Sequence, residues 1–243
     1  MSDKLIVALD VETAAQARQM AARLREHAGM FKVGSQLFTA AGPEIVREIV
    51  GGGGRVFLDL KFHDIPNTVA SAAREAVRLG VSIFNVHAFG GREMMRRAAD
   101  AASETAAREG LERPSVIAVT VLTSFDAATL GDLGITFTPE AQATLLARLA
   151  STCGLDGVVA SAHEIRQVRA VVMRENFLVV TPGVRQRVVA NDDQRRVMSP
   201  AEAVRAGADY VVMGRAIIDA PDPVAAAREA SEEIERASTA SSA

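Results

Sequence analysis

Short apolar runs rich in β-branched residues alternate with longer segments of Ala, Arg and Glu in which apolar positions recur every three or four residues. The first pattern predicts strands and the second amphipathic helices. Strands are predicted at 5–10, 30–34, 55–61, 82–87, 115–122, 157–161, 177–181 and 210–214, and helices at 13–27, 43–50, 66–79, 91–109, 139–153, 163–174, 200–205 and 223–237. Eight strand-then-helix units fit a closed (β/α)8 TIM barrel, whose usual length is about 250 residues. The chain is therefore read as one α/β barrel domain spanning 1–243, with the small, polar stretch 237–243 expected to fray. A doubly wound sheet is the fallback, but its nucleotide-binding form wants a glycine-rich turn directly after the first strand, where this chain reads Val-Glu-Thr-Ala. The four glycines 51–54 follow a helix and precede a strand, the wrong side for cradling a phosphate. They read as a flexible turn.

A barrel of this kind carries its active site at the carboxyl ends of its strands. Polar residues end strand after strand there: Asp10, Lys32, Asp59 with Lys61, Asn85 with His87, Thr123 with Ser124, Ser161, Thr181, and Gly214 with Arg215. The densest stretch is 57–68, FLDLKFHDIPNT. Extended residues alternate faces, so Asp59 and Lys61 share one side while Leu58 and Leu60 take the other. An unpaired buried charge costs several kcal/mol, so such groups pair with each other or with a ligand. An interior ion pair would satisfy the charges. A Lys32, Asp59, Lys61 and Asp64 network is better explained by chemistry, with a carboxylate held near a substrate anion and lysines supplying counter-charge and a proton. A second stretch, 180–196 with 211–218, follows the seventh and eighth strands, the usual phosphate site of the fold. Arg185, Gln194, Gly214 and Arg215 are the phosphate candidates, while Arg187, Arg195 and Arg196 read as solvated surface.

Composition narrows the partners. With 49% hydrophobic and 23% charged residues the chain is globular, and a net charge of -3 argues against non-specific nucleic-acid binding. The lone cysteine, Cys153, excludes an intramolecular disulfide and reads as an inert packed thiol in a reducing compartment. The apolar run before Asp10 is too short for a signal segment or a membrane span, so a cytoplasmic location is expected.

The run DLKFHDIPNT at 59–68 resembles the signature of the orotidine 5'-phosphate decarboxylase family, its bacterial branch in particular. The similarity continues through VALD at 7–10, KVG at 32–34, NVHA at 85–88, AVTVLTS at 118–124, GLDGVV at 154–159, TPGVR at 181–185, DQRR at 193–196 and MGR at 213–215. That resemblance implies a cofactor-free (β/α)8 homodimer, without a metal, that converts orotidine 5'-phosphate to uridine 5'-phosphate and CO2 in pyrimidine synthesis. It implies that Lys61 donates the proton to C6 of the pyrimidine, that Asp59 faces the departing carboxylate, and that Lys32 completes the network and touches the ribose, as does Asp10. Asp64 and Thr68 match family positions that reach into the partner subunit's site, and Thr123 matches a substrate contact. Ser124 beside it either reaches the pyrimidine edge or caps its loop. His63 is expected to make a structural hydrogen bond, and His87 borders the site without a catalytic role. Two other readings remain open. A metal-assisted relative such as a 3-keto-gulonate-6-phosphate decarboxylase shares an Asp-x-Lys-x-x-Asp stretch, but it has an acid where this chain has Lys32, and a lysine repels Mg2+. A silent barrel that senses a phosphosugar would not need the charge network.

Overall fold

Eight parallel strands pair in sequence order and close on themselves, β8 returning to β1. They are β1 Leu5–Ala8, β2 Met30–Gly34, β3 Val56–Phe62, β4 Ile83–His87, β5 Ser115–Val119, β6 Gly157–Val159, β7 Leu178–Thr181 and β8 Tyr210–Met213. The computed structural model describes residues 2–184 and 198–240. Each strand lies within its predicted span, except β3, which starts one residue later and extends one residue further, to Phe62. The trimming falls mostly at the carboxyl ends, where the chain leaves the ladder and turns polar.

Strand alternation sorts the apolar residues into two cores. Ile6, Ala8, Met30, Phe57, Ile83, Ile117, Val180 and Val212 fill the barrel interior. Their neighbours of opposite parity, such as Leu5, Val7, Phe31, Leu58 and Phe84, pack outward against the helices in a second, larger cluster. Because the pleat has a period of two, each interior column continues upward in steps of two residues. The column through Phe57 therefore reaches Asp59 and Lys61. Those through Met30 and Ile83 reach Lys32 and Asn85, and that through Ala8 reaches Asp10.

Local chemistry starts the helices where the pattern predicts them. Thr13 and Ser199 form capping boxes with Gln16 and Glu202, and Pro66, Pro139 and Pro200 occupy first-turn positions where a missing N–H costs nothing. The helix Pro66–Arg78 buries Val69, Ala70, Ala73, Ala76 and Val77, a single stripe of helical period. Three α-helices have no counterpart in the predicted set, one of them the four-residue Arg215–Ile218 after β8. Ser35–Ala41 starts at the end of β2 without a side-chain cap, and Ala127–Asp132 is only six residues long, capped by the Asp126 carboxylate on the Thr129 N–H. The last helix runs Pro223–Ala240, so the fraying expected from Ala237 begins too early. Ala227, Ala230, Ile234 and Ala237 make one fully buried stripe, and burying the last of them carries the helix past it. Among the described residues no helix is long and apolar enough to cross a membrane.

At the amino ends of the strands, opposite the polar rim, two carboxylates act as clasps. Asp156, just before β6, accepts the Val116 N–H of β5 at 2.8 Å and pairs with Arg113. Asp209, just before β8, accepts the Val179 N–H of β7 at 2.7 Å and pairs with Arg169. Arg169 also donates to the carbonyls of Gly207 and Phe177, so one guanidinium ties the helix Ile165–Val171 to the starts of two strands. Replacing it strands a carboxylate and two carbonyls, and Lys cannot reproduce the planar fork. Arg169→Ala is expected to lower stability by about 2 kcal/mol, seen as a lower urea midpoint at unchanged slope, with turnover per folded molecule intact because the clasp lies on the far face. An unmoved midpoint would mean that water substitutes for the guanidinium.

Candidate active site

Lys32, Asp59 and Lys61 are brought together by two adjacent strands, and Asp10 by the chain just past β1. The Lys32 ammonium lies 2.9 Å from Asp10 Oδ1 and 3.4 Å from Asp59 Oδ2, and the Lys61 ammonium lies 2.8 Å from Asp59 Oδ1. Charges thus alternate along a chain from Asp10 to Lys61. Its middle is the driest part, the Lys32 and Asp59 side chains being 12% and 14% exposed. Burial pushes the Asp59 carboxyl towards the neutral form, but the Lys32 and Lys61 charges, with hydrogen bonds from Lys61 and Asn85, hold it below its ordinary value of 3.8. Gly34 ends β2 for a steric reason: a Cβ there would sit 2.9 Å from the Lys32 ammonium and 3.4 Å from Asp10 Oδ1.

Lys61 occupies unusual backbone. Its φ of 51° makes it the one non-glycine residue with positive φ among the described residues, a conformation that costs roughly 1 to 2 kcal/mol. The cause lies in the register of β3 against β4. Leu58 pairs with Phe84 and Phe62 with Val86, so Asp59, Leu60 and Lys61 all face the single residue Asn85. This bulge interrupts the ladder, and the fully buried Asn85 side chain repairs it. Asn85 Oδ1 accepts the Lys61 N–H at 2.7 Å, and its Nδ2 donates to Asp59 Oδ1 at 2.7 Å. Asn85 is noticed in the sequence only as a polar strand end. Its position two residues above interior Ile83 is the signal that could have singled it out.

The network opens into a cavity of about 280 Å³ at the carboxyl ends of the strands. Of the residues singled out from sequence, Asp10, Lys32, Asp59, Lys61, Thr123, Gly214 and Arg215 line it. Ser161, at the end of β6, lines it too, although the sequence reading gave it no role. Apolar Val119, Val121, Val159 and Val212 make its floor and wall. Three candidates lie elsewhere. Ser124 is exposed and outside the lining, because Leu122–Phe125 forms a tight turn closed by the Phe125 N–H on the Leu122 carbonyl. Asp64 and Thr68 are exposed beside the helix start at Pro66, where Asp64 Oδ1 accepts the Ile65 N–H at 2.6 Å. Arg185 and Gln194 fall outside the described residues. Among the described residues no three His, Cys, Asp or Glu side chains gather as a metal-ion site.

A parallel barrel whose rim holds two ammonium groups flanking one buried carboxylate is equipped to hold an anionic ligand by fixed charge. Comparison with known proteins narrows the class. The protein named orotidine 5'-phosphate decarboxylase from Moorella thermoacetica is 56% identical over 234 residues, covering 96% of this chain and 92% of its own. That of Geobacter sulfurreducens is 54% identical over 232 residues, covering 96% of each. The crystal structure of orotidine 5'-phosphate decarboxylase from Lactobacillus acidophilus superposes with a TM-score of 0.83 at 34% identity, covering 95% of this chain and 98% of the other. The family model described as orotidine 5'-phosphate decarboxylase / HUMPS family matches residues 3–230, and the chain belongs to that family.

Two histidines stand beside the network. The His63 ring stacks on that of His87 with centroids 5.6 Å apart, and this contact takes the place of the expected hydrogen bond. His87 stacks in turn on Phe89 and accepts the Phe89 N–H on Nδ1. Burial, helped by the His63 and Lys61 charges, pushes the His87 pKa down from 6.5 to about 4. An unfolded chain takes up this proton near 6.5, whereas the folded protein refuses it until about 4. The contribution to stability is thus complete above 6.5 and is lost as pH falls to about 4, a window above that of Asp59. Over this window acidification is expected to lower the unfolding temperature less in His87→Gln than in the unmodified protein. Parallel curves would show that His87 titrates normally in the folded state.

Proposed function

We propose that this chain decarboxylates orotidine 5'-phosphate to uridine 5'-phosphate, with Lys61 as the proton donor to C6 and with neither metal nor organic cofactor. The enzyme class follows from family membership: it is a carboxy-lyase of pyrimidine synthesis, like the relatives that share more than half of its residues. The observation that carries the finer reading is the placement of one ionised carboxylate, Asp59, between two ammonium groups in the lining of the cavity.

In this reading the bond from C6 to the carboxylate carbon breaks, CO2 departs, and the electron pair stays on C6. That carbanion has no adjacent carbonyl to delocalise it, so fixed charge must stabilise it. The Lys61 ammonium stands ready to do so and then gives C6 a proton, recovering its own from solvent. Asp59 faces the departing carboxylate and orients Lys61, while Lys32 and Asp10 meet the ribose. Thr123 contacts the substrate, and Arg185, Gln194, Gly214 and Arg215 take the phosphate. Energy from that remote contact can be spent on aligning the reacting centre. Lys32 also argues against a divalent cation, because its ammonium occupies the space between Asp10 and Asp59 where such an ion would have to bind.

The reading includes a homodimer in a cytoplasmic setting, with Asp64 and Thr68 completing the partner's cavity. Their exposure beside Ile65, which is 68% exposed, supports a protein contact at this edge of the barrel.

Loss of the orotate absorbance measures turnover directly. Lys61→Ala is expected to lower kcat by at least about 10⁴-fold, since it removes both the proton and the charge, and EDTA is expected to leave the unmodified enzyme unaffected. Turnover retained in the variant would sink the proton-donor role, and EDTA sensitivity would sink the metal-free one. Mixing Lys61→Ala with Asp64→Ala subunits tests the shared site. Half of the exchanged dimers are mixed and each holds one intact site, so about one quarter of full activity should return. No recovery despite confirmed subunit exchange would place Asp64 in its own subunit's site or in neither.

A further inference from the structure

We infer that Asn85 is a positioning residue, whose carboxamide fixes both the backbone turn that aims Lys61 into the cavity and the Asp59 oxygen that Lys61 faces. The inference rests on the reading of Lys61 as proton donor. Asn85 is fully buried yet does not line the cavity, so any influence on substrate passes through the two residues it holds. Its two hydrogen bonds leave no freedom in how the amide is oriented. The Lys61 N–H can only be met by Oδ1, and the Asp59 carboxylate only by Nδ2. Both Asn85 Nδ2 and the Lys61 ammonium converge on Asp59 Oδ1, at 2.7 and 2.8 Å, which turns Oδ2 towards Lys32. At the same time the bond to Oδ1 holds Lys61 at its positive φ. An ordinary ladder partner would need no side-chain amide. One group that donates and accepts, opposite a three-residue bulge, meets both requirements.

A residue that only stabilised the fold would lower the amount of folded enzyme, while each folded molecule turned over normally. A positioning residue lowers kcat and leaves substrate binding nearly intact, because the phosphate and ribose contacts lie elsewhere. Asn85→Ala is therefore expected to cost about 100-fold in kcat while KM moves less than about threefold, the signature of a displaced reacting group. Asn85→Asp preserves the shape but places a second carboxyl beside Asp59. Like charges raise the pKa of the introduced group. Deprotonated, it repels Asp59; protonated, it donates to Asp59 and still accepts the Lys61 N–H. The ratio of its kcat to that of the unmodified enzyme should rise by about tenfold or more as pH is lowered through that titration.

The experiment measures kcat and KM against pH for both variants, with thermal unfolding and uridine 5'-phosphate binding as checks on the fold and the cavity. A folded Asn85→Ala enzyme within about threefold of full kcat overturns the inference, as does a loss confined to KM. A kcat ratio for Asn85→Asp that does not change with pH also overturns it, and this second variant decides the matter if the alanine variant fails to fold. Lys61→Ala separates the two levels. If that variant retains turnover, the proton-donor reading fails; if it is inactive while both Asn85 variants keep full kcat, only the positioning role fails.

Discussion

The buried carboxylate of Asp59 is the constraint to which the rest of the site answers. Alone at that depth it would take up a proton and become neutral. Lys32 on one side and Lys61 on the other keep it ionised, and the carboxylate in turn pairs both ammonium groups. This mutual dependence explains why the site spans β1, β2, β3 and β4, consecutive around the barrel. Neighbouring parallel strands are about 4.8 Å apart, so side chains of one parity at one level meet at ion-pair distance. Glycine at 34 leaves the space in which Lys32 reaches Asp10.

Such a network is a poor source of stability, since desolvating its two buried charges, Lys32 and Asp59, offsets much of the attraction. The left-handed backbone at Lys61 adds to the cost. The fold compensates on its other faces. Beneath the charges an apolar layer from Ile6 to Val212 fills the barrel, and the helices cover its outside with a second core. At the amino ends, Asp156 and Asp209 tie strands to arginines in pairings that serve no substrate. The strained backbone and the site's own charges are gathered at the carboxyl rim, with packing beneath and around them and separate ion pairs at the amino ends, a division that lets the site be modified without unmaking the barrel.

Most of this was legible in the sequence because it depends on period. Eight alternations predicted the barrel, and the parity of Asp59 and Lys61 placed both on the inner face. Asn85 escaped because its importance comes from a register shift between β3 and β4, and no single-strand pattern reports how two strands align. The helix Ser35–Ala41 escaped because it follows β2 directly, without a capping side chain. Ser124, read either as a pyrimidine-edge contact or as a loop cap, lies outside the cavity lining because it sits in a tight turn, where successive side chains diverge sharply. The end of the last helix was misjudged because Ala237 reads as tail by composition, yet it completes a buried stripe begun at Ala227.

Asp64 shows how far one chain can explain its own sequence. Its closeness in sequence to Lys61 suggests one charged cluster, although three residues is the wrong spacing for a shared strand face. The strand ends at Phe62, however, and Pro66 begins a helix, so the intervening residues turn outward. Asp64 then meets only the N–H of its neighbour, next to an isoleucine left mostly in water. This solvated carboxylate lies outside the lining of its own cavity, and in the proposed dimer Ile65 and Thr68 would form the contact that gives it a role. In the proposed dimer the same break in β3 that presents Lys61 inward also sends Asp64 outward. One irregular strand end would then supply two sites.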